Sequence, residues 1–333
     1  MVDNIFINNK IWAKFSDEEL EQFTTQIYNH YRENGFPYFK LNDKEIDKEI
    51  LKLREYNTNT ILESDNKLKQ VMLGLNLVNF FMPHMWDTKC HSFTTPMNAF
   101  TDDKMFLKAI KKRIQLGSNM SDAGMRKALS WVSGTHRVSN FRPTIAKWIY
   151  DNFSGDGNVL DFSCGYGGRL FGALSSEKVK SYTGTDPCLK TFNCLIEMKE
   201  RINNNKDVII YNKPFEDLDL PNDYYDLSFS SPPYFNTEEY SYEDTQSFIR
   251  YKTKDEWRDN FLNPLIKKNF ISLKKDGYFI INIANVKTYP TLEEDTLTIC
   301  KNIGFELITT YKMSLSALMS KGFKYEPIFV FKK

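Results

Sequence analysis

The sequence has almost no excess charge of either sign. Its 44 Lys and Arg stand against 43 Asp and Glu, a net charge of +1. No overall basic field announces a polyanionic partner, so any phosphate contact has to come from a local patch. Cysteines are few and odd in number: Cys90, Cys164, Cys188, Cys194 and Cys300, with no CxxC pair. In a chain of 333 residues that pattern implies reduced thiols in a cytoplasm-like compartment and no structural metal site. The four histidines, His30, His84, His91 and His136, are scattered rather than spaced as ligands. No apolar run is long enough for a bilayer span and the N-terminus lacks a signal-peptide pattern, so the expected location is cytoplasmic. Gly/Ser-rich or Pro-rich linkers, internal repeats and low-complexity tracts are also missing. What is present is ordinary globular composition, 41% hydrophobic and 26% charged, enough for one large domain or two modest ones.

The chain changes character near residue 140. Before it the pattern is helical and irregular. Ser16 and Glu19 form a capping box that starts a helix. Ile46, Ile50 and Leu53 follow a helical spacing, and so do Met105, Phe106, Ala109, Ile110 and Ile114, a run that Gly117 is expected to end. The opposite face of that last helix carries Lys104, Lys108, Lys111, Lys112 and Arg113. From about residue 158, short apolar strands alternate with helical stretches. Seven strands are expected: 159–162, 181–184, 208–211, 225–230, 278–283, 305–309 and 327–331. This alternation predicts an α/β fold, a mostly parallel sheet with helices on both faces, preceded by a mainly helical N-terminal region. The last two strands have no helix between them and are expected to pair antiparallel at the sheet edge. The expected division is 1–138 and 139–333.

Two motifs carry chemistry. In Asp161-Phe162-Ser163-Cys164-Gly165-Tyr166-Gly167-Gly168, glycines allow a sharp turn and close approach of a ligand between a strand and a helix. Asp186, at the end of the next strand and followed by Pro187, is placed to accept both hydroxyls of a ribose. There is no Walker lysine, which argues against nucleoside triphosphates. A dinucleotide and a nucleoside without phosphates both remain. Asp161 favours the second, because a carboxylate repels a pyrophosphate and suits an amino-acid ammonium, a combination that points to S-adenosylmethionine. Phe215 and Asp217, after the third strand, stand where an apolar side chain and an acid would meet an adenine ring.

The second motif is Ser231-Pro232-Pro233-Tyr234. Consecutive prolines cannot continue a strand ladder, so the chain leaves the sheet in a rigid turn. A hydroxyl and an aromatic ring are then held at a strand's C-terminal edge, where open α/β sheets place ligands.

Together these residues resemble the amino-methyltransferases that modify DNA bases. The glycine loop resembles that family's first cofactor motif, and Ser231-Pro232-Pro233-Tyr234 its catalytic motif. Asn140 to Ile149, with Phe141, Pro143 and Thr144, looks like the helix that closes the methionine end of the cofactor site. The resemblance covers 140–333. It implies a Rossmann-like class I methyltransferase sheet and S-adenosylmethionine as methyl donor. The implied target is the exocyclic amino group of a flipped cytosine or adenine in DNA. Ser231 and the Pro232 carbonyl would accept the amino hydrogens, and Tyr234 would stack on the base. Serine in place of the commoner Asp or Asn tilts the target slightly toward cytosine. Residues 1–138 would grip DNA, with Lys104, Lys108, Lys111, Lys112, Arg113, Arg126, Lys127 and Arg137 as phosphate contacts. Lys-, Asn- and Ile-rich usage fits the AT-rich genome of a phage or low-GC bacterium. Alternatives of other classes are a methyltransferase of RNA or protein, a non-catalytic reader of nucleic acid, and a nicotinamide-dependent oxidoreductase, which leaves Ser231-Pro232-Pro233-Tyr234 unexplained.

Overall fold

A computed structural model describes residues 15–116, 118–202, 205–318 and 322–333. Gly117, the expected helix stop, lies outside them. The chain divides into two compact units.

The first unit takes in 15–40 and Pro83–Ser139. Helix Asp17–Asn34 begins at the Ser16–Glu19 capping box, as its sequence requires. Helix Asp103–Gln115 buries Phe106, Ala109, Ile110 and Ile114, the apolar stripe. Ring contacts bind the core, with Phe36 5.5 Å from both Trp86 and Phe100, and Phe100 4.9 Å from Phe106.

The second unit is Asn140–Lys333 joined by Leu41–Met82. The expected division put 41–82 with the N-terminal region. The structure instead ties that segment to the sheet unit through polar bonds. Arg201 pairs with Asp47 at 2.6 Å, and Arg54 donates to the Ile202 carbonyl at 2.7 Å. Thr58 donates to Asp151 at 2.9 Å.

The sheet strands are β1 Asn158–Asp161, β2 Ser181–Thr185, β3 Asp207–Tyr211, β4 Tyr225–Ser230, β5 Leu273–Asn282, β6 Glu306–Leu318 and β7 Gly322–Lys332. Their order is 3-2-1-4-5-7-6. All neighbours pair parallel except β7, which runs antiparallel to both β5 and β6. Two short strands, Leu62–Glu63 and Lys67–Leu68, extend the described sheet beyond β6 to nine strands. The expectation of a helical N-terminal region misses them. They cover an edge that would otherwise offer unpaired backbone groups, and Asn66 fastens them by donating to Thr309 Oγ1 at 3.0 Å.

Helices cover both faces. On one, Phe279, Ile281, Phe329 and Phe331 pack with Leu265, Ile266, Leu292 and Cys300 from helices Asn263–Ser272 and Leu292–Ile303. On the other, Tyr150 of helix Pro143–Phe153 lies 5.7 Å from Phe229, and Phe153 lies 5.1 Å from Tyr278. The order reverses between β1 and β4, because β1 leads to β2 on one side while β4 leads to β5 on the other. Ligands of open α/β sheets bind in the crevice beyond the strand ends at such a point. Asp161 ends β1 there and Ser230 ends β4.

Candidate active site

The loop after β1 is built by backbone geometry. Gly165 has φ +54°, a region that favours glycine, and a Cβ there would meet nothing closer than 3.9 Å. Its N–H donates to Asp186 Oδ2 at 2.9 Å, and the Cys188 N–H donates to Oδ1 at 3.0 Å. One N–H on each oxygen fixes the carboxylate at the end of β2 and leaves lone pairs on both. Burial pushes Asp186 up to about 7, with the two N–H bonds pulling the other way. Gly167 and Gly168 serve packing. A Cβ would sit 2.7 Å from Met198 Cε at Gly167 and 2.1 Å from the Phe141 carbonyl oxygen at Gly168. Cys164 is buried, 3.4 Å from the Tyr182 hydroxyl. Pro187 follows on the rim, its carbonyl accepting from Asn212 at 3.2 Å.

Asp161 has a different part from the expected one. It is fully buried. Oδ1 accepts from the Ser230 hydroxyl at 2.7 Å and the Ser163 N–H at 3.2 Å. Oδ2 accepts from Arg169 Nε at 2.9 Å and the Tyr182 hydroxyl at 2.8 Å. A carboxylate has about four acceptor sites, so this one is saturated. Burial works against the Arg169 charge and Asp161 more than offsets it, holding the guanidinium above its ordinary value. Asp161 therefore clamps β1, β2, β4 and the loop together and is not free to hold an ammonium. Arg169, in the first turn of helix Gly168–Ser175, was not singled out from the sequence. Its only signal there is an isolated charge beside Leu170 and Phe171.

Other expected ligand contacts are likewise committed to the fold. Phe162 and Phe215 are both buried, their rings 5.7 Å apart in the core. Asp217 pairs with Arg250 at 2.7 Å. The Thr144 hydroxyl donates to the Val71 carbonyl at 3.1 Å, and Pro143 is buried at the same helix start. The Phe141 ring packs 5.5 Å from Phe229.

Ser231-Pro232-Pro233-Tyr234 leaves β4 beside this loop. Ser231 is partly exposed, and its hydroxyl is 3.4 Å from that of Tyr234. The Tyr234 hydroxyl in turn lies 3.3 Å from the Asn282 carbonyl and 3.4 Å from Glu326 Oε2. The next residue, Phe235, has φ +56° and is wedged against Trp257 and Tyr289. A bulky residue held there is the kind of backbone strain that clusters at functional sites. The sequence reading assigned no role to Glu326 of β7, or to Glu238, which is bonded to the Tyr240 hydroxyl. Burial raises the Glu326 carboxyl, and it pushes Glu238 up to about 7, opposed by the Tyr240 bond and aided by the charge of Glu326. Two partly buried carboxyl groups thus stand near the Ser-Pro-Pro-Tyr turn, and the one on Glu326 comes from 92 residues beyond Tyr234.

In the first unit, Lys104, Lys108, Lys111 and Lys112 are exposed along one face of helix Asp103–Gln115. Arg113 is not on that face. It bonds to the Asn119 carbonyl at 2.9 Å and holds the following turn. Arg126 is buried, donating to the Pro37 carbonyl at 2.6 Å with its guanidinium 3.8 Å from the Phe39 ring centre. Arg137 is exposed beside Trp86, and the Lys127 ammonium lies over the exposed Trp131. Among the described residues no helix is long and apolar enough to cross a membrane, and no three His, Cys, Asp or Glu side chains are placed to share a metal ion.

No protein-family model matches the chain, and no curated protein matches it. Similar solved structures include a SAM-dependent methyltransferase of Methanosarcina mazei, 13% identical, with 56% of this chain and 96% of that one covered at a TM-score of 0.40. Magnesium protoporphyrin IX methyltransferase of Synechocystis, with bound SAM, is 17% identical over 57% and 76%, TM-score 0.39. The 1,6-didemethyltoxoflavin-N1-methyltransferase of Burkholderia thailandensis is 13% identical over 57% and 77%, TM-score 0.39.

Proposed function

We propose that this protein transfers a methyl group from S-adenosylmethionine to the exocyclic amino group of a base in DNA, cytosine before adenine. The observation that carries the reading is one juxtaposition at the sheet's switch point. A Ser-Pro-Pro-Tyr turn leaves β4 next to a glycine loop whose Gly165 N–H is bonded to the Asp186 carboxylate.

The residues fit such a donor. Asp186 keeps a lone pair on each oxygen for a vicinal diol, and Gly165 presents no side chain to an approaching nucleoside. Thr237 Oγ1 and Gln246 Nε2, on the loop after the turn, are buried without a hydrogen-bond partner. That loop lies against the same rim, with Thr245 donating to the Pro187 carbonyl at 3.3 Å and Glu243 accepting from the Leu189 N–H at 3.2 Å. Unpaired buried polar atoms are costly, and a ligand that pairs them removes the cost. When bound, the sulfonium supplies an electrophilic methyl group.

The chain's own residues prepare the nucleophile. An exocyclic amino nitrogen is a poor one, because its lone pair is delocalised into the ring. The Ser231 hydroxyl and the Pro232 carbonyl accept its two hydrogens, which draws the nitrogen toward a tetrahedral shape and frees the lone pair. Catalysis is then positioning and electrostatics, with no covalent intermediate on the protein. The base has to leave a duplex to reach the turn. The exposed Lys104, Lys108, Lys111 and Lys112 stripe supplies sequence-independent phosphate contacts.

Mass spectrometry of nucleosides from the DNA of cells expressing the protein tests this reading. N4-methylcytosine above the control is the expected product, and N6-methyladenine would reassign the base. Unmodified DNA with methylated RNA or protein would overturn the substrate.

Asp186 gives a second expectation. The carboxylate, not the acid, accepts two hydroxyls. Its raised value means that it is ionised above about 7 and protonated below. Affinity for S-adenosylmethionine should therefore be full on the alkaline side and weaken as pH falls through 7. Asp186→Asn should bind about 10- to 100-fold more weakly, the loss of a charge-assisted bond or two, with that pH dependence gone. Calorimetric titration across pH measures both. Unchanged affinity in the variant would remove Asp186 from the site.

A further inference from the structure

We infer that Glu326 is the final acceptor of the proton released from the methylated amino group, reached through the hydroxyls of Ser231 and Tyr234. The inference rests on the amino-methyltransferase reading above and adds a residue to it. The geometry is a continuous path. Ser231 Oγ is 3.4 Å from the Tyr234 hydroxyl, which is 3.4 Å from Glu326 Oε2. These are long bonds, as catalytic hydrogen bonds often are before substrate closes on them.

The chemistry needs such an acceptor. The amino nitrogen gains a methyl group and a positive charge as the sulfonium becomes a neutral thioether. Nitrogen regains neutrality only when one of its N–H bonds breaks. Serine cannot keep that proton. It can take it while its own hydroxyl proton moves to Tyr234 and the tyrosine proton moves to the Glu326 carboxylate. One N–H bond breaks, one carboxyl O–H forms, and both hydroxyls are restored. No oxidant or reductant is involved. An Asp in the first motif position could accept the proton directly, whereas a serine there makes a second group necessary.

The surroundings of Glu326 suit the task. Burial raises its carboxyl, which makes the carboxylate a stronger base than an exposed one, and Lys324, Asn282, Tyr234 and Arg142 pull it back. Glu238, on the loop after the turn, is the other carboxyl of the cluster and is bonded to Tyr240, whose ring is 5.9 Å from that of Tyr166. Glu238 has no bond to Tyr234 among those observed, so the path ends on Glu326. Glu326 acts through other groups and is a positioning and proton-accepting residue rather than one that touches the base.

The test has two parts. In protein labelled with 13C at glutamate carboxyls, the resonance lost in Glu326→Gln should titrate above the ordinary glutamate range. Titration at the ordinary value overturns the inference, whatever the substrate. Single-turnover transfer to DNA is then followed against pH with S-adenosylmethionine saturating at every pH, which removes the Asp186 dependence. Wild-type turnover should fall as pH drops through the Glu326 value, since the acid form cannot accept a proton. Glu326→Gln should lose about 100-fold in kcat at neutral pH, a general-base effect, together with that acid limb, at unchanged affinity for S-adenosylmethionine. Glu326→Asp should recover part of the rate, and Glu238→Gln should keep the limb. Tyr234→Phe should lose as much as Glu326→Gln, and the pair together no more than either, because both break one path. A retained acid limb in Glu326→Gln, or additive losses, overturns the inference and leaves the methyltransferase standing. Absence of transfer by the wild-type protein to any DNA overturns both.

Discussion

Ser231→Ala is expected to abolish most turnover while leaving cofactor binding and folding intact. The hydroxyl stands at the mouth of the turn, partly exposed, and makes no bond that holds β4 in the sheet. Its removal takes away one of the two acceptors that draw the amino nitrogen out of conjugation. Deleting a single preorganised polar group of this kind costs about 10²- to 10³-fold in kcat. The Pro232 carbonyl remains, because no side-chain change removes it, and a residual rate should persist. Ser231→Asn should keep the acceptor, since an amide oxygen reaches the same hydrogens, but should lose the relay to Tyr234 and with it about 100-fold in kcat. Single-turnover transfer from labelled S-adenosylmethionine, beside calorimetric cofactor affinity and thermal unfolding, separates the effects. Full activity in Ser231→Ala would remove the turn from catalysis. A fall in cofactor affinity instead would make the turn part of the donor site.

The second large effect is on stability. Asp161 and Arg169 are paired at 2.9 Å, with side chains 0% and 5% exposed. Asp161→Ala leaves a buried guanidinium without its counter-charge and the hydroxyls of Tyr182 and Ser230 without their acceptor. Breaking a buried pair on one side costs about 3–5 kcal/mol. For a unit of this size that corresponds to a fall of about 10 °C in Tm. The double variant Asp161→Leu/Arg169→Met should recover much of the loss, because it removes both desolvated charges. Thermal unfolding of Asp161→Leu, Arg169→Met and their double gives the coupling energy directly. A stable Asp161→Ala protein with weakened cofactor affinity would restore the ammonium-holding role that the geometry rules against.

How far the site was legible follows from which signals are local. Strand 225–230 was read at its observed bounds, because a run with apolar Tyr225, Leu227 and Phe229 at alternate positions meets two prolines that cannot extend it. The capping box at Ser16 and the stripe on Asp103–Gln115 are also contained in a few adjacent residues. Strands β6 and β7 run well beyond their apolar cores. In a hairpin each strand supplies the other's backbone bonds, so residues as polar as Lys312 and Lys324 are carried into the ladder. Leu62–Glu63 and Lys67–Leu68 gave no strand signal, since two residues show no periodicity. They exist because the β6 edge is there to pair with.

Side-chain roles divide the same way. The acid at 186 stands at the end of β2, held by the N–H of Cys188 two residues on and by that of Gly165 from the loop after β1. The acids at 161 and 217 are instead engaged by arginines, Arg169 from the helix that follows the same loop and Arg250 from further along the chain. Glu326 was not singled out as a site residue, although its stretch belongs to the resemblance, because it lies 92 residues from Tyr234 and the antiparallel return of β7 carries it there.

By itself, then, the sequence determined the α/β alternation, the glycine loop with its acid, and a rigid Ser-Pro-Pro-Tyr exit from β4. Each follows from backbone constraints that neighbouring residues impose on one another. Only the tertiary structure decided which carboxylates remain available. The Asp161 carboxylate is filled by Arg169 from its own loop and helix and by Tyr182 and Ser230 from the strands on either side, and it is strand order that brings those two hydroxyls in.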